Sequence, residues 1–256
     1  MAAPADASVL TGMRRDPSHT GVFTDFDGTL SAIVDDPAAA RPLPGAVAAL
    51  DALAARFGRV AVLSGRPVEF LQAWFSPSVV LAGLYGLETV IDGRRHDHPD
   101  GDAWREVVDD VAAQSLARGP EGMRVESKGL SLTLHYRGRS EIQARVQMWA
   151  EQQAARSGLE LRPARMSFEL HPPIEVDKGS TLVELAGGLT AVCFVGDDVG
   201  DLAAFDGLDR LAAAGVVTLR VGVRSAEEST ALLDRADLVV DGPAGALAVI
   251  EALAAP

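Results

Sequence analysis

The sequence is poor in cysteine and in aromatic residues. Its one cysteine, Cys193, excludes an internal disulfide and a metal site built from several thiolates. Cys193 lies within the apolar run 191–195, which is typical of a free cysteine in a buried core position. Aromatic residues make up 5% of the chain and hydrophobic residues 48%, so we expect a large core built mainly from aliphatic side chains.

Long apolar segments and excess positive charge are lacking as well. No stretch is long and apolar enough to span a bilayer, and residues 1–20 lack the apolar centre of a signal peptide. The net charge of −13 argues against nucleic acids and anionic membranes as partners. We therefore expect a cytoplasmic protein, a monomer or weak oligomer, whose first dozen residues are loosely ordered.

The order of the predicted elements indicates an α/β fold with an insertion. Buried strands at 21–26, 59–63 and 79–84 alternate with helices at 44–57 and from Pro67, as in a parallel sheet with helical crossovers. Paired strands and two helices interrupt this alternation, which resumes at Lys178. We predict a three-layer, Rossmann-like core formed by residues 1–96 and 176–256, with an inserted α+β domain over 97–175.

Two carboxylates, Asp25 and Asp27, stand at the end of the first buried strand. Side chains at i and i+2 point to the same side of a strand, so the two acids lie side by side. Such a pair is costly unless a cation lies beside it or one acid carries a proton. We predict that Asp25 is a nucleophile, that Asp27 is a general acid/base, and that a divalent ion lies beside them. The plainer alternative is a strand that ends in an Asp-Gly turn.

Polar side chains follow other strands of the predicted sheet. Ser64 ends the second strand, Asp197 follows the strand at 191–195 with Asp201 close behind, and Lys178 opens the preceding helix. Ligands collect at the carboxyl ends of parallel strands, and oxygen ligands suit Mg²⁺. The expected metal ligands are Asp25, Asp27, Asp197 and Asp201.

The two remaining polar residues have predicted roles in phosphoryl transfer. We expect Ser64 and nearby backbone amides to hold phosphoryl oxygens, and Lys178 to neutralise developing charge and tether Asp25. Taken singly, Ser64 is also typical of a turn and Lys178 of an exposed surface. Only their joint occurrence at successive strand ends favours a catalytic site.

The predicted insertion carries a strand with one polar face. This strand alternates apolar residues with polar ones, which are Ser131, Thr133, His135 and Arg137. On the preceding strand, Glu126 and Lys128 are two residues apart, so their side chains point to the same side. Such a face offers many hydrogen-bond donors and acceptors to a ligand rich in hydroxyl groups. The alternative is the solvent-facing side of a half-exposed sheet.

Four segments occur in a diagnostic order. They are Asp25-Phe26-Asp27-Gly28-Thr29-Leu30, Leu63-Ser64-Gly65-Arg66, Lys178-Gly179 and Gly196-Asp197-Asp198. In this set the chain resembles the haloacid-dehalogenase-like phosphatases. The acid at position 27 is similar to that of the phosphatase and phosphomutase branch, and the insertion is similar to the cap domain of the sugar phosphatases.

Further segments resemble the trehalose-6-phosphate phosphatases within that branch. They lie at 83–88, 126–128, 134–137 and 169–172. This resemblance implies Mg²⁺-dependent hydrolysis of trehalose 6-phosphate through an aspartyl phosphate, as the last step of trehalose biosynthesis. It also implies a set of substrate-binding residues: Ser64, Gly65, Arg66, Gly86, Glu126, Lys128, His135, Arg137, Glu169 and His171.

Two positions depart from the family pattern. Leu202 replaces a glutamate that helps to hold the sugar in the family, and His171 replaces the usual arginine. Both lie on the substrate side, so a phosphatase acting on another sugar phosphate stays open, for example a glucosyl or mannosyl glycerate phosphate or sucrose phosphate. A phosphomutase and a catalytically silent binding domain are further alternatives. The argument against the silent domain is that the predicted catalytic and metal-binding set is intact: Asp25, Asp27, Ser64, Lys178 and Asp197.

Overall fold

The structure is a computed structural model that describes residues 7–34, 36–164, 166–225 and 230–255. The chain forms two compact units, one of residues 1–96 and 176–256 and one of Asp97–Glu175.

The secondary structure is numbered along the chain. The strands are β1 Thr20–Thr24, β2 Arg59–Leu63, β3 Val80–Gly83, β4 Glu88–Ile91, β5 Arg94–Asp97, β6 Arg124–Ser127, β7 Leu132–His135, β8 Glu160–Ala164, β9 Ser167–His171, β10 Ala191–Gly196, β11 Val217–Arg224 and β12 Leu238–Asp241. The helices are α1 Ala7–Arg14, α2 Ala46–Ala54, α3 Val68–Gln72, α4 Arg105–Arg118, α5 Gln143–Ser157, α6 Lys178–Leu185, α7 Leu202–Ala213, α8 Thr230–Leu233 and α9 Gly242–Ala254.

The first unit is built on an eight-stranded sheet in the order β12-β11-β10-β1-β2-β3-β4-β5. Strands β12 to β3 in this order all pair in parallel, and β4 pairs antiparallel with β3. The central strands read as apolar runs because helices cover both faces of the sheet. The predicted three-layer, mainly parallel core is thereby confirmed.

Side chains of the central strands alternate between two apolar cores. Val22 and Cys193 lie in the core that includes residues of α2 and α9, whereas Phe23 and Phe194 lie in the core that includes residues of α6 and α7. This alternation follows the two-residue pleat of a strand. Cys193 is fully buried, as its sequence context predicted.

Two elements of the first unit differ from the prediction. One difference is the pair of strands β4 and β5, which a two-residue turn joins, in a segment where the sequence analysis predicted no strand. The other is α1, where Met13 is buried and Arg14 Nη2 donates to the carbonyl oxygen of Ala255 at 2.9 Å. Residues 7–12 of the dozen expected to be loosely ordered belong to this helix, and residues 1–6 lie outside the described chain.

The second unit contains a four-stranded sheet in the order β6-β7-β9-β8, and all three strand pairs are antiparallel. One face of this sheet carries Leu132, Leu134 and Leu170, which share an apolar core with Val108 of α4 and Val146 of α5. The opposite face is polar and is described below. Within the described ranges of both units, no helix is both long and apolar enough to cross a membrane.

Candidate active site

Strands β1 and β10 bring two segments distant in sequence to one edge of the sheet. Their parallel register pairs Thr24 with Val195, and the backbone N–H of Asp25 donates to the carbonyl oxygen of Val195 at 2.8 Å. Asp25 follows β1 directly and Asp197 follows β10. Both carboxylates therefore stand at the carboxyl edge, where ligands of such sheets bind.

Lys178, the first residue of α6, joins two of these acids. Its Nζ atom donates to Oδ1 of Asp25 and to Oδ1 of Asp201, at 2.6 Å in each case. All three side chains are buried, and hydrogen bonds between ionised groups are strongest under such conditions. The ammonium group thus fixes the orientation of the Asp25 carboxylate.

Asp201 also shapes the turn that follows β10. Its Oδ2 atom accepts hydrogen bonds from the backbone N–H groups of Asp197, at 2.8 Å, and Asp198, at 3.2 Å. Within the described residues, one group of candidate metal ligands results: Asp25, Asp197 and Asp201 offer oxygen atoms that all lie within 4.8 Å of one another. These three buried residues are called the acidic cluster.

Burial dominates the protonation behaviour of the acidic cluster. It raises the pKa of Asp25 well above its ordinary value; Lys178 opposes this shift and Asp201 reinforces it. Burial also raises the pKa of Asp201, again against the effect of Lys178. For Lys178, burial alone lowers the pKa, but the charges of Asp201 and Asp25 outweigh burial and raise the pKa well above its usual value.

A divalent cation fits the acidic cluster. One ammonium group faces three carboxylates in a setting that penalises net charge, so a further positive charge would stabilise all three in the ionised form. The donor atoms are all carboxylate oxygens, which hard divalent cations prefer. The cluster can therefore hold a divalent metal ion.

Gly28 allows the segments that follow β1 and β10 to approach each other at the site. Its φ of +84° is in the region that favours glycine, and a Cβ atom at this position would overlap the carboxylate of Asp197. The next residue, Thr29, contacts Asp197 through its hydroxyl group, with 3.5 Å between Oγ1 and Oδ1. The Asp-Gly pair thus provides close packing in addition to a turn.

Asp27 is bound by Arg66. Its Oδ2 accepts from Nε and its Oδ1 from Nη2 of the guanidinium group, both at 2.7 Å. Arg66 also donates from Nη1 to the carbonyl oxygen of Pro37 at 2.6 Å and lies over the ring of Phe70. Asp27 lies outside the acidic cluster defined above, so its roles as metal ligand and acid/base stay predictions.

The loop after β2 holds Ser64 and Gly65 at the same edge. The backbone N–H of Ser64 donates to the carbonyl oxygen of Ala82 at 2.9 Å, which continues the pairing of β2 with β3. Its Oγ atom accepts from the backbone N–H of Arg66 at 3.2 Å. Ser64 is therefore oriented by its own loop, although its contact with a phosphoryl group stays a prediction.

The polar strand face predicted for the insertion is present in the second unit. Cross-strand register places its residues in rows that run over β6, β7, β9 and β8. One row is Glu126, Thr133, Glu169 and Arg162, and another is Arg124, His135, Ser167 and Ala164. Neighbours within a row lie on the same face and can contact one another.

Ion pairs and hydrogen bonds order the side chains of this face. Oε1 of Glu169 lies 3.1 Å from Oγ of Ser131 and 3.4 Å from Nζ of Lys128. Nε2 of His135 lies 2.8 Å from Oε2 of Glu126. Ser131 and Glu169 are both buried.

His171 is buried at the end of β9. Among the described groups, none forms a hydrogen bond with its Nε2 atom, which lies 3.9 Å from Oε2 of Glu160. Burial lowers the pKa of His171, and the positive charge of Arg162 lowers it further. The other predicted substrate residues are Arg137, half-buried just after β7, and Gly86, in the short turn that follows β3.

Two contacts were not foreseen from the sequence. Arg66 was assigned to the substrate, whereas here it holds Asp27, and Thr29 had no assigned partner. The Asp27–Arg66 contact depends on the path of the loop after β2. Thr29 contacts a residue 168 positions away, so only the position of both segments at strand ends could have indicated the pair.

Comparison with known proteins shows the family. The sequence profile of the trehalose-phosphatase family matches residues 23–237. A trehalose-phosphate phosphatase of Mycobacterium avium (strain 104) is 38% identical over 250 residues, which cover 92% of this chain and 62% of that protein. The chain thus spans less than two thirds of the length of this curated relative.

Solved structures show the same fold. The C-terminal domain of the C. albicans trehalose-6-phosphate phosphatase superposes with a TM-score of 0.77 at 23% identity, covering 97% of both chains. A haloacid dehalogenase-like hydrolase from Bacteroides thetaiotaomicron gives 0.58 at 14% identity, covering 91% of this chain and 98% of the other. The structural likenesses show a haloacid-dehalogenase-like fold, and the profile match together with the curated relative shows that the chain belongs to the trehalose-phosphatase family.

Proposed function

We propose that the chain hydrolyses trehalose 6-phosphate to trehalose and phosphate, as the last step of trehalose biosynthesis in the cytoplasm. The observation that carries the proposal is the buried contact of Lys178 with Asp25 and Asp201, beside Asp197, in a member of this family. It supports a carboxylate that is held in one orientation and ready to attack a phosphoryl group.

The first step transfers the phosphoryl group to Asp25. An oxygen of its carboxylate attacks phosphorus while the bond from phosphorus to the sugar oxygen breaks. The leaving oxygen takes a proton from the carboxyl group of Asp27. Both oxygens of Asp27 accept hydrogen bonds from Arg66, which holds the carboxyl group in one orientation for this transfer.

The second step releases phosphate. A water molecule attacks the phosphorus of the aspartyl phosphate and loses its proton to Asp27, which restores both carboxyl groups to their starting state. Lys178 stays within hydrogen-bond distance of Asp25 and opposes the negative charge that develops near it. Ser64 and the backbone of Gly65 hold phosphoryl oxygens.

The proposed cofactor is Mg²⁺, held by the acidic cluster. When bound, it would neutralise charge on the phosphoryl oxygens and keep the clustered carboxylates ionised. Mg²⁺ suits the site because it binds through a few carboxylates together with a substrate phosphate.

We propose that the polar face of the second sheet binds the sugar hydroxyls. Glu126 and Glu169 accept hydrogen bonds, whereas Lys128 and Arg137 donate them. His171 favours a second candidate, a phosphatase for another sugar phosphate. Its imidazole has fewer donors than the arginine usual in the family, so it contacts fewer hydroxyl oxygens at that position.

Phosphate release from a panel of sugar phosphates tests the proposal. The panel contains trehalose 6-phosphate, sucrose 6-phosphate, glucose 6-phosphate and a glucosyl glycerate phosphate, each with Mg²⁺ and with EDTA. We expect the highest kcat/KM on trehalose 6-phosphate and loss of activity in EDTA that added Mg²⁺ restores. Asp25→Asn removes the nucleophile and should lower kcat by roughly 10⁴-fold or more.

Asp109→Asn is the matched control, because it makes the same chemical change at an exposed position of α4. Activity of Asp25→Asn equal to that of Asp109→Asn contradicts the mechanism. A preference for another sugar phosphate contradicts only the substrate assignment.

A further inference from the structure

A strained segment lies beside the site and has no role in the steps described above. Leu84, Tyr85 and Gly86 follow β3 with consecutive φ angles of 49°, 63° and 118°. Residues other than glycine rarely adopt positive φ, and such a backbone persists only where its surroundings fix it. Two such residues in succession indicate that the surrounding structure holds this turn in a defined position.

The turn contacts the loop that carries Ser64. The backbone N–H of Tyr85 donates to the carbonyl oxygen of Ser64 at 2.9 Å, and that of Leu84 donates to the carbonyl oxygen of Arg66 at 3.0 Å. The tyrosine ring lies against Gly65: a Cβ atom there would come within 2.8 Å of the Tyr85 hydroxyl oxygen. The ring therefore fills the space beside Gly65, and the two hydrogen bonds fix the loop on either side of it.

The same turn contacts α6. The hydroxyl group of Thr181 donates to the carbonyl oxygen of Tyr85 at 2.8 Å, and a side chain at Gly86 would overlap that hydroxyl group. Thr181 lies one turn after Lys178, whose ammonium group holds Asp25. One residue, Tyr85, thus contacts both the Ser64 loop and the helix that carries the lysine.

We propose that Tyr85 is a positioning residue for phosphoryl transfer. Its left-handed backbone and its ring hold the loop 64–66 and helix α6 at a fixed separation. This keeps Ser64 and Lys178 in fixed positions relative to Asp25. The inference rests on the proposed phosphoryl transfer, but it does not depend on which sugar is released.

Kinetics on p-nitrophenyl phosphate with Mg²⁺ test the role without a sugar. Tyr85→Ala removes the ring, and Thr181→Val removes only the hydrogen bond while keeping side-chain volume. We expect both variants to lower kcat about tenfold or more with little change in KM, because small misplacements of reacting groups slow the chemical step. Tyr85→Phe keeps the ring and should recover most of the kcat lost in Tyr85→Ala.

Thr190→Val is the matched control for Thr181→Val. The hydroxyl group of Thr190 also contacts a backbone carbonyl oxygen, that of His19 at 3.3 Å, but it lies at the amino end of β10, at the opposite edge of the sheet. Wild-type kcat in both Tyr85→Ala and Thr181→Val overturns the proposal. An equal loss of kcat in Tyr85→Phe and Tyr85→Ala also overturns the proposal, because the hydroxyl group and not the ring would then be responsible for the effect.

A crystal structure of Tyr85→Ala separates this inference from the proposed function. We expect the loop 64–66 to shift relative to Lys178, whichever substrates the wild-type protein hydrolyses. Unchanged positions of Ser64 and Lys178 in that structure overturn the positioning role even if the enzyme is an active phosphatase.

Discussion

Arg66 is held at its guanidinium group by hydrogen bonds and by an aromatic ring. It donates two parallel hydrogen bonds to Asp27, a third to the carbonyl oxygen of Pro37, and lies 4.4 Å from the centroid of the Phe70 ring. A bidentate ion pair of this kind has one preferred geometry, which a lysine cannot reproduce. The side chain of Asp27 thus has a defined resting position even though it is 39% exposed.

His171 provides a prediction of pH dependence at the residue scale. Burial and Arg162 lower its pKa below the ordinary value of 6.5, although Glu169 and Glu160 act in the opposite direction. Below about pH 6.5 the unfolded chain therefore binds more protons at this position than the folded chain does. The free energy of unfolding should fall as the pH is lowered from 6.5 through the depressed pKa of the folded state.

Chemical denaturation between pH 5 and pH 8 measures this effect. His171→Gln should reduce the loss of stability on acidification, whereas His96→Gln, which replaces an exposed histidine of β5, should leave the profile unchanged. A wild-type profile that His171→Gln does not alter contradicts the prediction.

At the scale of secondary structure, α6 begins with an unfavourable residue. A lysine in the first turn faces the positive end of the helix dipole, at a cost of roughly 0.3–1 kcal/mol. The preceding Asp177 offsets this cost: its Oδ1 accepts from the backbone N–H of Ser180 at 2.7 Å, and Oγ of Ser180 accepts from the backbone N–H of Asp177 at 3.0 Å. This capping box holds the helix end that places Lys178 beside Asp25.

Asp177→Ala tests the cap. Loss of an N-cap side chain costs about 1 kcal/mol, which corresponds to a decrease in Tm of about 2–4 °C for a chain of this size. Because the first turn would fray at Lys178, we also expect a lower kcat. Asp177→Asn retains a side chain that caps helices equally well, so it should keep both Tm and kcat near those of the wild type. Equal effects of the two substitutions contradict the role of the cap.

The elements that the sequence predicted best are those whose pattern follows from burial alone. β1, β2 and β10 are mainly apolar because both faces are covered, and Ser64 and Asp197 follow β2 and β10. β5 was missed because it is a polar edge strand. Its Arg95 forms ion pairs with Glu69 and Glu88, and a segment such as Arg94–Asp97 has no local pattern that distinguishes a strand from a loop.

The residues of the candidate site also fall into two groups, those that a sequence pattern predicts and those that it does not. The acidic residues at strand ends were predictable because parallel strands bring their carboxyl ends to one edge. The pairing of Lys178 with Asp201 and of Arg66 with Asp27 was not, since it depends on side-chain directions within loops. The strain at Tyr85 likewise has no signature in the sequence, because tyrosine is an unusual residue for a positive φ.

At the scale of the whole molecule, metal binding should depend on folding. Asp25 and Asp197 follow different strands, β1 and β10, and come together only in the folded first unit. A ligand that binds the folded state alone stabilises it by about 2.7 kcal/mol at a concentration one hundred times its Kd. We therefore expect Mg²⁺ to raise Tm by roughly 5–10 °C, and EDTA to reverse the increase.

Scanning calorimetry measures this shift without any substrate. If the two units unfold in separate transitions, Mg²⁺ should move only the transition of the first unit. Asp197→Asn removes a ligand of the acidic cluster and should abolish most of the shift, whereas Asp109→Asn should retain it. An equal increase in Tm for the wild type, Asp197→Asn and Asp109→Asn would place the ion elsewhere on the molecule.

The spacing of the site along the chain also has a consequence for synthesis. Asp25 and Lys178 are 153 residues apart, and β10, which pairs with β1, follows Lys178. At about 5–20 residues per second, a ribosome adds this length in roughly 8–30 s. Throughout that interval the nascent chain carries Asp25, the proposed nucleophile, but neither the lysine nor the later acids. The acidic cluster and its lysine therefore cannot assemble before the segment from Lys178 to Asp201 has been synthesised.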